Sequence, residues 1–146
     1  MMALALALAI VLILIATLHV YWGIGGIWPG TDAISCARAV VGFKGVDAMP
    51  STVACFAVAA MIIAASLLAL SLGMLFATPF EQQPRAGAAF FVGLVFLGRG
   101  IAGFTPAWRR LTPEMPFANL DMRYYSPLCL LIGVGFVVLA VEGFAA

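Results

Sequence analysis

Four apolar stretches fill more than half of this chain and decide what it can fold into. They run from about Met2 to Trp22, Val53 to Ala77, Ala86 to Phe104 and Ser126 to Phe144. Each has roughly the 20 residues that a helix needs to cross a bilayer. Backbone polar groups find no water in hydrocarbon, so each stretch must satisfy them internally as a helix. The Ala-Leu alternation from Ala3 to Ala9 imitates a strand, but the apolar run continues well past the length of a barrel strand. The reading is an all-α integral membrane four-helix bundle, one domain over residues 1–146. Composition agrees: 65% of residues are hydrophobic and 9% charged, with mean hydropathy +1.17. Soluble domains sit near 45–50% apolar and about 25% charged. A soluble globular domain, a disordered chain and a disulfide-stapled miniprotein are thereby excluded. The net charge of +1 gives no electrostatic case for a nucleic-acid partner.

No Lys or Arg precedes the first run, and no small-residue cleavage site follows it, so the first helix is expected to be retained. Pro50 precedes the second helix. Pro127 opens the fourth, with Ser126 as its N-cap. Thr78-Pro79 and Thr105-Pro106 are expected to end the second and third helices. The connections Gly23–Thr52 and Thr105–Tyr125 are long and share one side. The tight turn Thr78–Arg85 and both termini share the other.

Polar residues are distributed unevenly. Of the seven Lys and Arg residues only Arg85 falls on the tight-turn side. The positive-inside rule then puts the long loops in the cytoplasm and both termini outside, in a multi-pass cell-membrane protein. All Trp and Tyr residues lie on the long-loop side, as do His19 and Cys36, Cys55 and Cys129. An interfacial aromatic belt accounts for Tyr21 and Trp22 but fits Trp28 less well, since it lies in a glycine-rich turn.

Small residues mark the packing seams. Ala65, Ala69 and Gly73, with Ala60 and Ala64, line the second helix. Ala89 with Gly93 and Gly98 with Ala102 serve the third, and Gly133 with Gly135 the fourth. The segment Arg38–Phe43 resembles Arg99–Phe104, and each precedes a loop and a cysteine-bearing helix start. Two related helical hairpins are one reading of this likeness; coincidence is the other.

Candidate ligand-binding residues are His19, Trp22, Trp28, Arg38, Arg99, Asp121 and Tyr125. His19 suits a proton relay, a metal ligand or a headgroup contact, or simply a hydrogen bond to a neighbouring helix. One histidine excludes bis-histidine haem ligation. Arg99, in Gly98-Arg99-Gly100 near a membrane end, must snorkel, pair or line a cavity. Its candidate partners are Asp121, Asp47 and Asp32. An ion pair holding a loop over the bundle and an anion or headgroup site are both open. Asp121 precedes the fourth helix, where an acid complements the helix N-terminus. Arg109-Arg110 beside Trp108 has the character of a lipid-interface patch. The three cysteines could in principle form a metal site with His19, but they lack Cys-x-x-Cys spacing, and Cys55 and Cys129, just inside helix starts, read as small buried hydrophobes. No catalytic constellation, metal site or cofactor motif is present, so no cofactor is expected.

Trp22-Gly-Ile-Gly-Gly26-Ile-Trp28-Pro29, together with Asp121 through Tyr125-Ser126-Pro127-Leu128-Cys129, resembles a family of small bacterial four-helix membrane proteins known only as a domain of unknown function. The Arg38…Gly42-Phe43 element belongs to the same likeness. The resemblance implies fold and membrane location, and no activity or cofactor.

The leading functional expectation is a non-enzymatic accessory subunit or a small-ligand or lipid-binding bundle, its polar aromatic site on the long-loop side. Membrane lipid, a membrane-protein partner and a second copy of the chain are the partners in view. The alternatives are a small transporter or channel component, and a membrane-interface enzyme using His19, Asp121 and Arg99.

Overall fold

The computed structural model describes residues 1–145. In chain order its elements are α1 (Met2–Gly23), α2 (Ala33–Val40), α3 (Thr52–Leu72), α4 (Gln82–Ala102), α5 (Pro106–Leu111) and α6 (Phe117–Leu120). A π-helical turn (Asp121–Tyr125) then leads directly into α7 (Ser126–Ala145). Four helical segments are long and apolar enough to cross a membrane: α1, α3, α4, and the continuous run Phe117–Ala145.

The four spans pair as two hairpins. α1 lies along α3, and α4 lies along α7. Each hairpin brackets one long connection. Leu8, Leu12, Ile132, Phe136 and Leu139 fill the space between the hairpins. The ring of Phe96 stacks on Phe136 with centroids 6.3 Å apart. Lipid tails are as apolar as leucine, so close backbone approach must supply much of the helix association. Gly93 and Gly133 allow it between α4 and α7: a Cβ on Gly133 would stand 2.8 Å from the Leu97 nitrogen. Gly73 does the same in the first hairpin, where a Cβ would meet that of Ala5 at 2.5 Å.

The small-residue seam differs from the sequence reading in register. Ala65, Ala69 and Gly73 are buried as expected, but Ala60 and Ala64 are exposed and Ala59 is buried instead. At 3.6 residues per turn, Ala60 and Ala64 are rotated about 100° from Ala59 and Ala65. Gly98 likewise points into open space, while Gly100 packs on Leu130 and the Ser126 carbonyl.

Helix ends also move. The second span closes at Leu72 rather than about Ala77. The Leu75 N–H donates to the Leu70 carbonyl (3.1 Å) and Met74 N–H to that of Ser71 (3.3 Å). Met74 adopts φ +57°. This is a Schellman stop with methionine in the position that glycine normally takes. The third span covers Gln82–Ala102 rather than 86–104, with Pro84 tolerated in its first turn. Thr105-Pro106 does not end that helix; Thr105 caps α5, accepting from the Trp108 N–H at 3.3 Å.

Ser126 is not an N-cap, and Pro127, in the first turn of α7, sits in a helix that runs on from the π-helical turn without a break. Ser126 has helical angles, and its N–H donates to the Asp121 carbonyl five residues back. Proline lacks an N–H and crowds the preceding turn, so a widened turn lets the helix continue through it.

The long connections fold over one end of the bundle and are stitched together. The Lys44 N–H donates to the Leu111 carbonyl (2.9 Å) and Glu114 N–H to that of Gly42 (3.3 Å). Gly42, at φ +70°, lies so close to the Phe117 ring that a Cβ would meet it at 2.2 Å.

Candidate functional site

Two side-chain clusters occupy the loop-covered end. The first centres on Asp121, 3% exposed in the π-helical turn. Its Oδ1 accepts from Arg99 Nη2 at 2.6 Å and from Ser126 Oγ at 3.1 Å; its Oδ2 accepts from Trp108 Nε1 at 3.0 Å. Arg99 Nη1 also donates to Ser126 Oγ at 3.2 Å, and the guanidinium lies 4.6 Å from the Trp108 ring centroid. A buried carboxylate is tolerated only when paired and hydrogen-bonded, and here both conditions hold. Gly103 makes room for it: a Cβ there would lie 1.7 Å from Ser126 Oγ.

Of the three acids considered for Arg99, Asp121 is its partner. The carboxylate therefore serves this pair rather than capping a helix start. Trp108 turns its indole N–H inward to Asp121, so the ring belongs to this network and not to a surface patch with Arg109 and Arg110. Arg109 does reach the surface, where Nη1 approaches Met122 Sδ at 3.1 Å. Asp32 is engaged elsewhere, capping α2 through the Ser35 N–H at 2.7 Å. Bonds from the Ser35 backbone and side chain hold the Asp32 carboxyl below the usual carboxylate range.

The second cluster belongs to the first hairpin. His19 and Trp22 meet edge to face, centroids 5.1 Å apart, and His19 Nδ1 lies 2.9 Å from the Ile15 carbonyl. They border a half-open cavity of ≈ 130 Å³, walled mostly by Val40, Val41, Met49, Pro50, Ala54, Cys55 and Val58. The cavity thus sits where α2 and the following loop fold over the junction of α1 and α3. Trp22 Nε1 donates to the Trp28 carbonyl at 2.7 Å, which ties the glycine-rich turn to α1. Trp28 itself is 61% exposed. Cys36 Sγ also reaches the Trp28 carbonyl, at 3.5 Å, and burial pushes its thiol pKa up.

The remaining candidates join the connections to the helices. Arg38 pairs with Glu114 at 3.7 Å, and the second oxygen of Glu114 accepts from the Gly45 N–H at 2.9 Å. The Tyr125 hydroxyl donates to the Ala39 carbonyl at 3.3 Å, linking the fourth span to α2. The structure therefore joins Arg99 with Asp121, Trp22 with Trp28, and His19 with Trp22. It does not gather the seven residues into one pocket. Trp108, Glu114, Gly103 and the Val40–Val41 cavity wall were missed in the sequence. Trp108 was singled out there only as the neighbour of Arg109 and Arg110 in an interface patch. Among the described residues, no group of three or more His, Cys, Asp or Glu side chains is placed to hold a metal.

Two helical hairpins, closed at one end by interlocked connections around a buried ion pair, define a four-span helical membrane protein. The chain belongs to the family described as "Protein of unknown function (DUF3995)", whose family model matches residues 12–136. That range contains both the Trp22–Pro29 and the Asp121–Cys129 motifs. No curated protein matches the chain, and no solved structure does.

Proposed function

We propose that this protein is a non-enzymatic ligand-binding bundle, or an accessory subunit of that kind, which holds a small apolar group in the His19–Trp22 cavity. The observation that carries this reading is the cavity itself: ≈ 130 Å³, walled by aliphatic side chains and bordered by one imidazole and one indole. An apolar cavity of about 150 Å³ accommodates benzene, whereas drug-sized ligands need roughly 300–1,000 Å³. The ligand is accordingly a small hydrophobic molecule or the end of a lipid chain. Entry from the membrane suits it, because the cavity lies where a span meets its loop. The imidazole of His19 supplies a hydrogen-bonding group for a polar atom on such a ligand.

The network at Arg99 supports a structural role for that residue rather than an anion site. Its charge is matched by Asp121, and its hydrogen bonds run to protein atoms. An interface enzyme built on His19, Asp121 and Arg99 draws no support from this geometry, since His19 stands in the other cluster. The transporter alternative rests on the two-hairpin plan alone. The distribution of cations favours cytoplasmic long loops with both termini outside.

The test is a cavity-filling substitution. Val58→Trp should abolish co-purification of a small hydrophobic molecule or lipid seen by mass spectrometry of the wild-type protein. Unchanged co-purified mass in a folded Val58→Trp variant would refute the assignment.

A further inference from the structure

The opposite end of the bundle carries an open surface depression of ≈ 370 Å³ at the α3–α4 turn. Arg85 lines it with Gln82, Thr78 and Ser71. Its guanidinium is held at two points: Nη1 donates to the Ser71 carbonyl at 2.8 Å, and Nε to that of Glu81 at 3.2 Å. A guanidinium has five N–H donors, so three remain. Among the described residues, no acidic side chain lies within ion-pairing distance of it. The same turn exposes Met74 (84%) and Phe80 (70%), with Phe76 at the rim of the depression. This is an oriented cation without an acidic partner, in a depression of mixed polar and apolar lining with exposed Met74, Phe76 and Phe80 nearby, on the side from which every other Lys and Arg is missing.

We infer that Arg85 binds the phosphate of an anionic membrane lipid, with Gln82 beside it and the Met74, Phe76 and Phe80 side chains against the lipid's glycerol and upper acyl region. A planar guanidinium fixed by two carbonyls presents its remaining donors in the geometry that phosphate oxygens accept. The exposed apolar side chains select a lipid over free phosphate, because a soluble anion leaves them facing water. The site is at the far end of the helices from the His19–Trp22 cavity and does not depend on it.

Native mass spectrometry of the detergent-purified protein, titrated with phosphatidylglycerol, tests this. Arg85→Ala should weaken the tightest lipid-binding event about tenfold, the scale of one charge-assisted hydrogen-bonded contact. Arg85 also caps the α3 C-terminus, so a second variant separates the two roles. Gln82→Glu keeps both carbonyl contacts and adds an acid to the first turn of α4, where it favours the helix. It should fold as well as the wild type and still lose the lipid, by repulsion of the phosphate. Full lipid binding by Gln82→Glu would assign Arg85 to capping alone and overturn the inference, whether or not Arg85→Ala folds. Displacement of the lipid by inorganic phosphate at equal concentration would overturn the lipid as the occupant.

Discussion

Arg99 on α4 and Asp121 in the π-helical turn share a 2.6 Å ion pair, with Asp121 3% exposed. The pair fastens the second hairpin at its loop end and brings α5 in through Trp108. Breaking a buried pair by removing one partner strands the other charge. Arg99→Ala should therefore destabilise the protein by about 3–5 kcal/mol. The double variant Arg99→Met with Asp121→Leu should recover most of that loss. Unfolding in mixed detergent measures both, and a double variant no more stable than Arg99→Ala would refute the pairing account.

Two glycines five residues apart should behave oppositely. Gly103→Ala drives a methyl into Ser126 Oγ, 1.7 Å from its ideal position. A clash of that kind in a packed site typically costs about 1–3 kcal/mol. Gly98 meets nothing within 4 Å, so Gly98→Ala should stabilise α4 by roughly 0.5–1 kcal/mol through helix propensity. Thermal unfolding of the two variants side by side checks the sign.

The four spans could be read from the sequence because hydrocarbon leaves the backbone no other choice, and hydrophobic length alone reports it. Helix ends were harder. The apolar run continues through Met74, Leu75 and Phe76, and the left-handed residue that stops α3 is Met74; the glycine at the boundary, Gly73, is not left-handed and continues the small-residue seam of Ala65 and Ala69. Asp121 stood out as a candidate, yet its partners are 22 and 13 residues away and arrive only when α5 folds back. Trp108 was misread because Arg109 and Arg110 made its surroundings look interfacial. The His19–Trp22 cavity left no linear trace, since α2 and its loop supply one wall and α3 another.

The cap of α2 should depend on pH. Asp32 accepts from the Ser35 N–H at 2.7 Å, and its pKa lies below the ordinary aspartate value. A lowered native pKa means that the contribution is fully present above the ordinary value. It is lost as pH falls through the lowered one. Amide hydrogen exchange at Ser35 and Cys36 should thus show progressively weaker protection in acid, relative to Asp32→Asn. Asparagine caps without titrating, so that variant should have a flatter profile. Identical profiles would contradict the assignment.

The charge distribution predicts a membrane orientation. Six of the seven Lys and Arg residues lie at the end where the long connections fold, and Arg85 alone lies at the other. Alkaline phosphatase fused after Ala146 should be active, because it matures outside the cytoplasm. An inactive phosphatase fusion with an active cytoplasmic reporter at the same place would reverse the topology.

The proposed ligand site can be tested most directly by photo-crosslinking. A lipid with a diazirine near the end of its acyl chain, incorporated into vesicles with the purified protein, should label Met49–Val58 and Val40–Val41 ahead of the outward helix faces. Val58→Trp should remove that labelling and spare the rest. Labelling spread evenly along the exposed residues of all four spans, and unchanged by Val58→Trp, would contradict a ligand-binding cavity at His19 and Trp22.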